Sequence, residues 1–224
     1  MTVDVHTHLV PKGWPDLSVA CGGDGWPWLR IDSERAAMIM VGSSEFRPIG
    51  PQTWDPAVRR ADMDADGIEI QVVSPTPVFF AYDRPAGQAV KVARIFNDLT
   101  LETLAGDDRF VPFCQVPLQD PDAACRELDR CLAAGHRGVE IGNHVGADQW
   151  RDFALDRLAR GPYRLSKPTF RLSEGSPSCP PSCTRSCSSK TFSTAVAQPC
   201  APSSGDSSAP WCSPASGRCA PRRC

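Results

Sequence analysis

Histidine is scarce in this chain, with four in 224 residues. Any site built on imidazoles therefore has few residues to draw on. An excess of either charge is also missing. The formal net charge is −2, so nothing global points to nucleic acid or an anionic lipid surface as partner. No apolar run approaches the roughly 20 residues of a membrane span. The longest candidates, such as residues 36–41, are far too short. A basic, apolar start of the secretory kind is absent, and Asp4 stands where such a segment wants Lys or Arg. A soluble, cytoplasmic protein is expected. No G-x-G-x-x-G follows the first strand signal, so a dinucleotide site has no support. Cys21, Cys114, Cys125 and Cys131 show no C-x-x-C spacing. They are expected as buried free thiols.

What is present begins with Asp4-Val5-His6-Thr7-His8, set between Val3 and Leu9-Val10-Pro11. Side chains on a strand alternate with period two. Strict alternation puts Asp4, His6 and His8 on one face and Val3, Val5 and Thr7 on the other. Two neutral imidazoles side by side can both reach one divalent cation. Two solvent-facing histidines are the other reading of the same tripeptide. Asp4 is either a supporting partner of that pair or a cap at the strand entry.

The averages conceal a break near residue 160. Residues 161–224 contain 15 Ser, 10 Pro and 7 Cys, half of all positions. That stretch carries a net charge of +6, against −8 for residues 1–160. The first part alternates strand and helix signals. Strands are expected near 3–8, 68–74, 110–118 and 138–143. The Gly/Pro/Trp-rich stretch 22–28 reads as loop. Asp55-Pro56 opens a helix that Gly67 closes, residues 86–105 form a second helix, and Asp120-Pro121 opens a third that ends at Gly135. Strands joined by helical crossovers argue for parallel βαβ units. Four of them suit the first half of a (β/α)8 TIM barrel, and also part of an open doubly wound sheet. Histidines ending the first strand favour the barrel, whose chemistry sits at the C-terminal strand ends.

Residues 3–16 resemble the start of the 2-amino-3-carboxymuconate 6-semialdehyde decarboxylase family, within the amidohydrolase superfamily. Further blocks match in order. They include Phe46-Arg47-Pro48, Trp54-Asp55-Pro56, Met63-Asp64, Gln71-Val72 and Pro77-Val78-Phe79-Phe80-Ala81-Tyr82. Gln115-Val116-Pro117-Leu118-Gln119-Asp120, Ala134-Gly135-His136-Arg137-Gly138 and Ile141-Gly142-Asn143-His144 follow. The resemblance covers about residues 1–146. It implies a distorted (β/α)8 barrel with one catalytic zinc, His6 and His8 as the first two ligands, and Arg47 as the group that binds a substrate carboxylate. The guanidinium fork suits that role. The implied reaction is non-oxidative decarboxylation of a small-molecule carboxylate in tryptophan or 2-aminobenzoate-type catabolism, and full-length members are expected as homodimers. Zinc makes water acidic enough to serve as a nucleophile near neutral pH.

The family's later blocks are missing: a ligating His in His-Pro-Trp-Asp, a catalytic His in His-Gly-Gly-Gly, and a ligating Asp in Gly-[Thr/Ser]-Asp-Tyr-Pro. No catalytic residue of the family can therefore be assigned in this chain. His136 and His144 fall in matched blocks where the family does not use them as ligands. His144 ends the fourth strand, as a pocket residue or a loop histidine. Phe79, Phe80 and Tyr82 line a pocket or belong to the core. Residues 148–160 suit one short helix. From residue 161 no periodicity remains, and that composition is expected to stay disordered. Out-of-frame translation after a frameshift near residues 146–165 is the expected origin of the break. The chain is thus expected to form residues 1–160 of a partial barrel, with an incomplete zinc site and no activity alone. A non-catalytic fragment, or a hydrolase or aromatic-acid decarboxylase of the same superfamily, is the alternative.

Overall fold

The computed structural model describes residues 1–142 and 145, together with the backbone of two short strands at 163–166 and 193–199. Four strands form its centre: β1 (Val3–Leu9), β5 (Ile70–Pro75), β6 (Phe110–Cys114) and β7 (Gly138–Ile141). They pair in that order and all in parallel. Three helices make the crossovers: α2 (Pro56–Asp66), α3 (Ala86–Leu104) and α4 (Pro121–Ala134). The result is a curled half of a (β/α)8 barrel, as the alternating signals predict.

The helix boundaries follow from their end residues. The Asp55 carboxylate accepts hydrogen bonds from the N–H groups of Ala57 and Val58, and Pro56 occupies the first turn, where a missing N–H costs nothing. Gly67 closes α2 in the left-handed region, at φ 66°. Asp120 caps α4 through the Ala123 N–H at 2.9 Å. β6 falls furthest short of its expected length. It stops at Cys114 rather than running to 118, because the Gln115 N–H is taken by the Asn97 side chain at 2.9 Å and Pro117 has no N–H to pair.

Apolar residues from strand and helix interlock on the outer side of the sheet. Leu9, Met63, Val73, Leu104 and Phe110 form one cluster, and Cys114, Leu128, Cys131 and Val139 another. Each fully buried Leu, Val or Phe contributes roughly 1.5–3 kcal/mol. A buried polar network ties α3 to α4 and β6. The Asn97 amide donates to Gln115 O at 3.0 Å and to Glu127 Oε1 at 2.8 Å. Arg130 then grips both oxygens of Glu127, at 2.7 and 2.9 Å. Cys21, Cys114 and Cys131 are buried free thiols, as expected, whereas Cys125 is only half-buried.

Two features depart from the sequence expectation. The stretch after β1 is not all loop. A short helix, α1 (Leu17–Cys21), precedes an antiparallel sheet of β2 (Pro27–Ser33), β3 (Ala36–Val41) and β4 (Ser44–Ile49). The turn residues around it masked the strands, yet Ala37, Ile39 and Met40 are buried. The second departure concerns the serine-rich region, expected to lack structure. β8 (Tyr163–Ser166) pairs with β9 (Ser193–Pro199), which lies antiparallel along β7. The β-branched Thr194 and Val196 suit a strand, and the edge of β7 offers unpaired backbone groups. The rest of that region, its seven cysteines and the expected helix at 148–160 lie outside the described residues.

Candidate metal centre

β1 carries both histidines to the C-terminal end of the sheet. Its register shifts against β5: Asp4 faces Gln71, and Thr7 faces Val73. Val5 and His6 thus stand opposite the single residue Val72. Such a bulge breaks strict alternation. Asp4 consequently does not join the histidine face. Its Oδ2 accepts from the Gln71 amide at 3.4 Å, and Gln71 Oε1 accepts from Arg59. Asp4 Oδ1 accepts the His6 backbone N–H at 3.2 Å, so it steadies the bulge rather than the ring. His6 and His8 remain side by side, edge to face, with ring centroids 4.8 Å apart.

Arg59, on α2, fixes the end of β1 from behind. It is buried and donates to the His8 carbonyl at 2.7 Å and to Thr7 Oγ1 and Gln71 Oε1 at 3.3 Å each. Burial holds its pKa below the ordinary arginine value, with Asp4 and Asp62 opposing the shift. Ser74, the last polar residue of β5, lies 3.2 Å from His8 Nδ1.

A third residue, an acid, completes the cluster. Glu140 on β7 is 2% exposed. Its neighbours Val139 and Ile141 join the outer core, so alternation turns Glu140 to the inner face. Its Oε2 accepts a hydrogen bond from Ser74 Oγ and lies 3.5 Å from His8 Nδ1, while Oε1 lies 3.9 Å from His6 Nδ1. Burial raises its pKa to about 7, and the Ser74 hydrogen bond opposes that shift. His8 moves the other way. Burial lowers its pKa to about 4, and His6, Arg47 and Arg59 add to the effect. His8 is therefore neutral at physiological pH, the form that binds a metal.

His6, His8 and Glu140 offer ligand atoms that all lie within 4.8 Å of one another, a set that could hold a metal ion. The sequence points to the two histidines. Glu140 stands in the sequence as an ordinary residue of the fourth strand signal. The available signal was one carboxylate in the otherwise apolar run Gly-Val-Glu-Ile, since a buried acid needs a partner.

The other candidates fall elsewhere. Arg47 lies exposed on β4, 5.7 Å from the Phe46 ring centroid, yet near enough to be felt by His8. Phe79 and Phe80 belong to the core. Phe79 stacks on Phe96 at 3.8 Å, and Tyr82 Oη accepts from the Gly142 N–H. His136 is buried behind the sheet, its Nδ1 3.3 Å from Cys131 O. His144 lies outside the described residues. A cavity of about 590 Å³ sits between the loop after β1 and the small sheet, lined by Trp14, Trp26 and Trp28, and includes none of the three metal-site residues.

The sequence and the half-barrel fold around this site are matched by known proteins. A family model described as Amidohydrolase fits residues 3–172. The chain belongs to the amidohydrolase family. It is 33% identical over 157 residues to the 2-amino-3-carboxymuconate-6-semialdehyde decarboxylase of Dictyostelium discoideum, covering 69% of this chain and 44% of that one. A gamma-resorcylate decarboxylase of Rhizobium radiobacter is 42% identical over 71 residues, which covers 31% of this chain and 22% of the relative. The chain spans about half the length or less of these relatives. In fold it is similar to the apo crystal structure of the Metarhizium anisopliae IDCase, with a TM-score of 0.52 at 20% identity, over 69% of this chain and 45% of the other. Among the described residues, no helix is long and apolar enough to cross a membrane.

Proposed function

We propose that this chain carries the first half of the active site of a metal-dependent, non-oxidative decarboxylase, with zinc as the metal and an unsaturated carboxylic acid of the 2-amino-3-carboxymuconate 6-semialdehyde kind as substrate. The observation that supports it most is the placing of His6 and His8 at one strand end against a buried acid, in a chain whose relatives are decarboxylases. Zinc bound there would supply Lewis acidity and a nucleophilic water near neutral pH. The chain's own residues supply the cradle. His8 is kept neutral by burial, Arg59 locks the β1 carbonyl behind it, and Ser74 orients Glu140. Arg47 is the group proposed to hold a substrate carboxylate, so that the leaving carbon dioxide is correctly aimed.

Among the described residues no third imidazole reaches the centre, since His136 lies behind the sheet. The chain alone is therefore proposed to bind metal without turnover, because a proton-shuttling base is lacking. The match to gamma-resorcylate decarboxylase favours a second substrate class, an aromatic hydroxy acid, on the same chemistry. The test is a fusion of residues 1–142 to the second half of the Dictyostelium relative, assayed for carbon dioxide release from both acids. Release is expected, lost on His6→Ala and impaired in KM on Arg47→Ala. A folded, zinc-loaded fusion inert toward both acids would contradict the proposal.

A further inference from the structure

We propose that Glu140 is the third protein ligand of the metal centre, so that this chain presents a two-histidine, one-carboxylate site by itself. The inference rests on the metal dependence proposed above and adds a ligand to it.

The first observation is an unsatisfied atom. Glu140 Oε1 is buried and, among the described residues, has no hydrogen-bond partner, although Oε2 is held by Ser74. A buried carboxylate oxygen with nothing to accept from costs free energy that a native fold rarely leaves unrecovered. The second is charge. Among the described residues, the ion-pair partners of Glu140 are the imidazoles of His6 and His8 alone. The nearest buried guanidinium, Arg59, is committed to the His8 carbonyl, Thr7 and Gln71. A buried acid without a fixed cation is costly, and a dication at this point would offset that cost.

The third is spacing. Two donors bonded to one zinc at about 2.0–2.2 Å, at tetrahedral angles, stand roughly 3.3–3.6 Å apart. His8 Nδ1 and Oε2 are 3.5 Å apart, and His6 Nδ1 and Oε1 are 3.9 Å apart. The ligand atoms of all three residues lie within 4.8 Å of one another, so binding would draw them together by ring rotation. Ser74 would then act as the hydrogen-bonding partner that orients a ligating carboxylate. A structural acid–imidazole pair would show the same contacts but no affinity for a cation that depends on Glu140.

The test uses the full chain, stripped of metal and titrated with cobalt(II), followed by calorimetry and visible absorption. One cobalt per chain is expected. Glu140→Gln should weaken binding ten- to a hundredfold and alter the ligand-field bands, Glu140→Asp should weaken it less, and His6→Ala should abolish it. Cobalt affinity and bands unchanged in a folded Glu140→Gln chain would overturn the proposal while leaving the metal-dependent decarboxylase reading intact. No cobalt on the unaltered chain would overturn both. Should Glu140→Gln fail to fold by circular dichroism, infrared difference spectra of the unaltered chain labelled with 13C-glutamate decide. A cobalt-induced shift in a carboxylate stretch supports the assignment, and none overturns it.

Discussion

Replacing His136 by glutamine should remove a specific acid sensitivity from the fold. His136 is 2% exposed, its Nε2 is buried with no hydrogen-bond partner among the described residues, and burial lowers its pKa from 6.5 to about 4. Burial is the leading cause; Arg130 lowers the value further, and the Cys131 carbonyl, Asp98 and Glu127 oppose it. In the unfolded chain the ring titrates near 6.5. Between pH 6.5 and 4 the unfolded state therefore binds a proton that the folded state refuses. The stabilisation tied to the neutral ring is complete above pH 6.5 and is lost as pH falls through that window to about 4. A difference of about 2.5 units corresponds to about 3 kcal/mol. The assay is urea denaturation of both chains at pH 7.5 and pH 4.5. The unaltered chain should lose about 2–3 kcal/mol more than His136→Gln over that interval. His8 contributes equally to both chains and cancels. Parallel stability profiles would refute the claim that the buried ring stays neutral.

Further outcomes follow from packing and hydrogen bonds. Asn97→Ala removes three hydrogen bonds from the buried network of Gln115 and Glu127. It should cost about 3 kcal/mol or more in urea midpoint analysis, and a loss under 1 kcal/mol would show that water repairs the network. A methyl at Gly138 would sit 2.5 Å from the Phe113 ring. Gly138→Ala should therefore destabilise by about 1–3 kcal/mol and be relieved by a simultaneous Phe113→Leu, and an additive double variant would contradict that pairing. Arg59→Met frees the His8 carbonyl and should weaken cobalt binding at least tenfold with helix content unchanged by circular dichroism; unaltered affinity would show that β1 needs no such anchor.

The parallel order of four strands is legible in the sequence because hydrophobic runs, Asp caps and Gly stops agree there. Asp55, Gly67, Asp120 and Gly135 all act where their chemistry places them. The pairing of His6 with His8 is legible too, since they remain on one face after the bulge. The bulge itself was hidden. It arises from pairing between β1 and β5, which no local pattern records, and it moved Asp4 away from the histidines. Glu140 was hidden for a related reason, because its partners Ser74, His6 and His8 lie some 66 to 134 positions away. The small antiparallel sheet was masked by the glycines and prolines at its turns. β9 was masked by the serine-rich composition around it, which reports average solvation and not the one edge, on β7, that a strand can cover.

The most direct test of the metal centre is zinc stoichiometry by equilibrium dialysis and elemental analysis on the full chain at pH 7.5. The three-residue site predicts one zinc per chain, lost in the His6→Ala, His8→Ala double variant while α-helical content is retained. Zinc bound equally by the double variant, or none bound by the unaltered chain, would contradict the account.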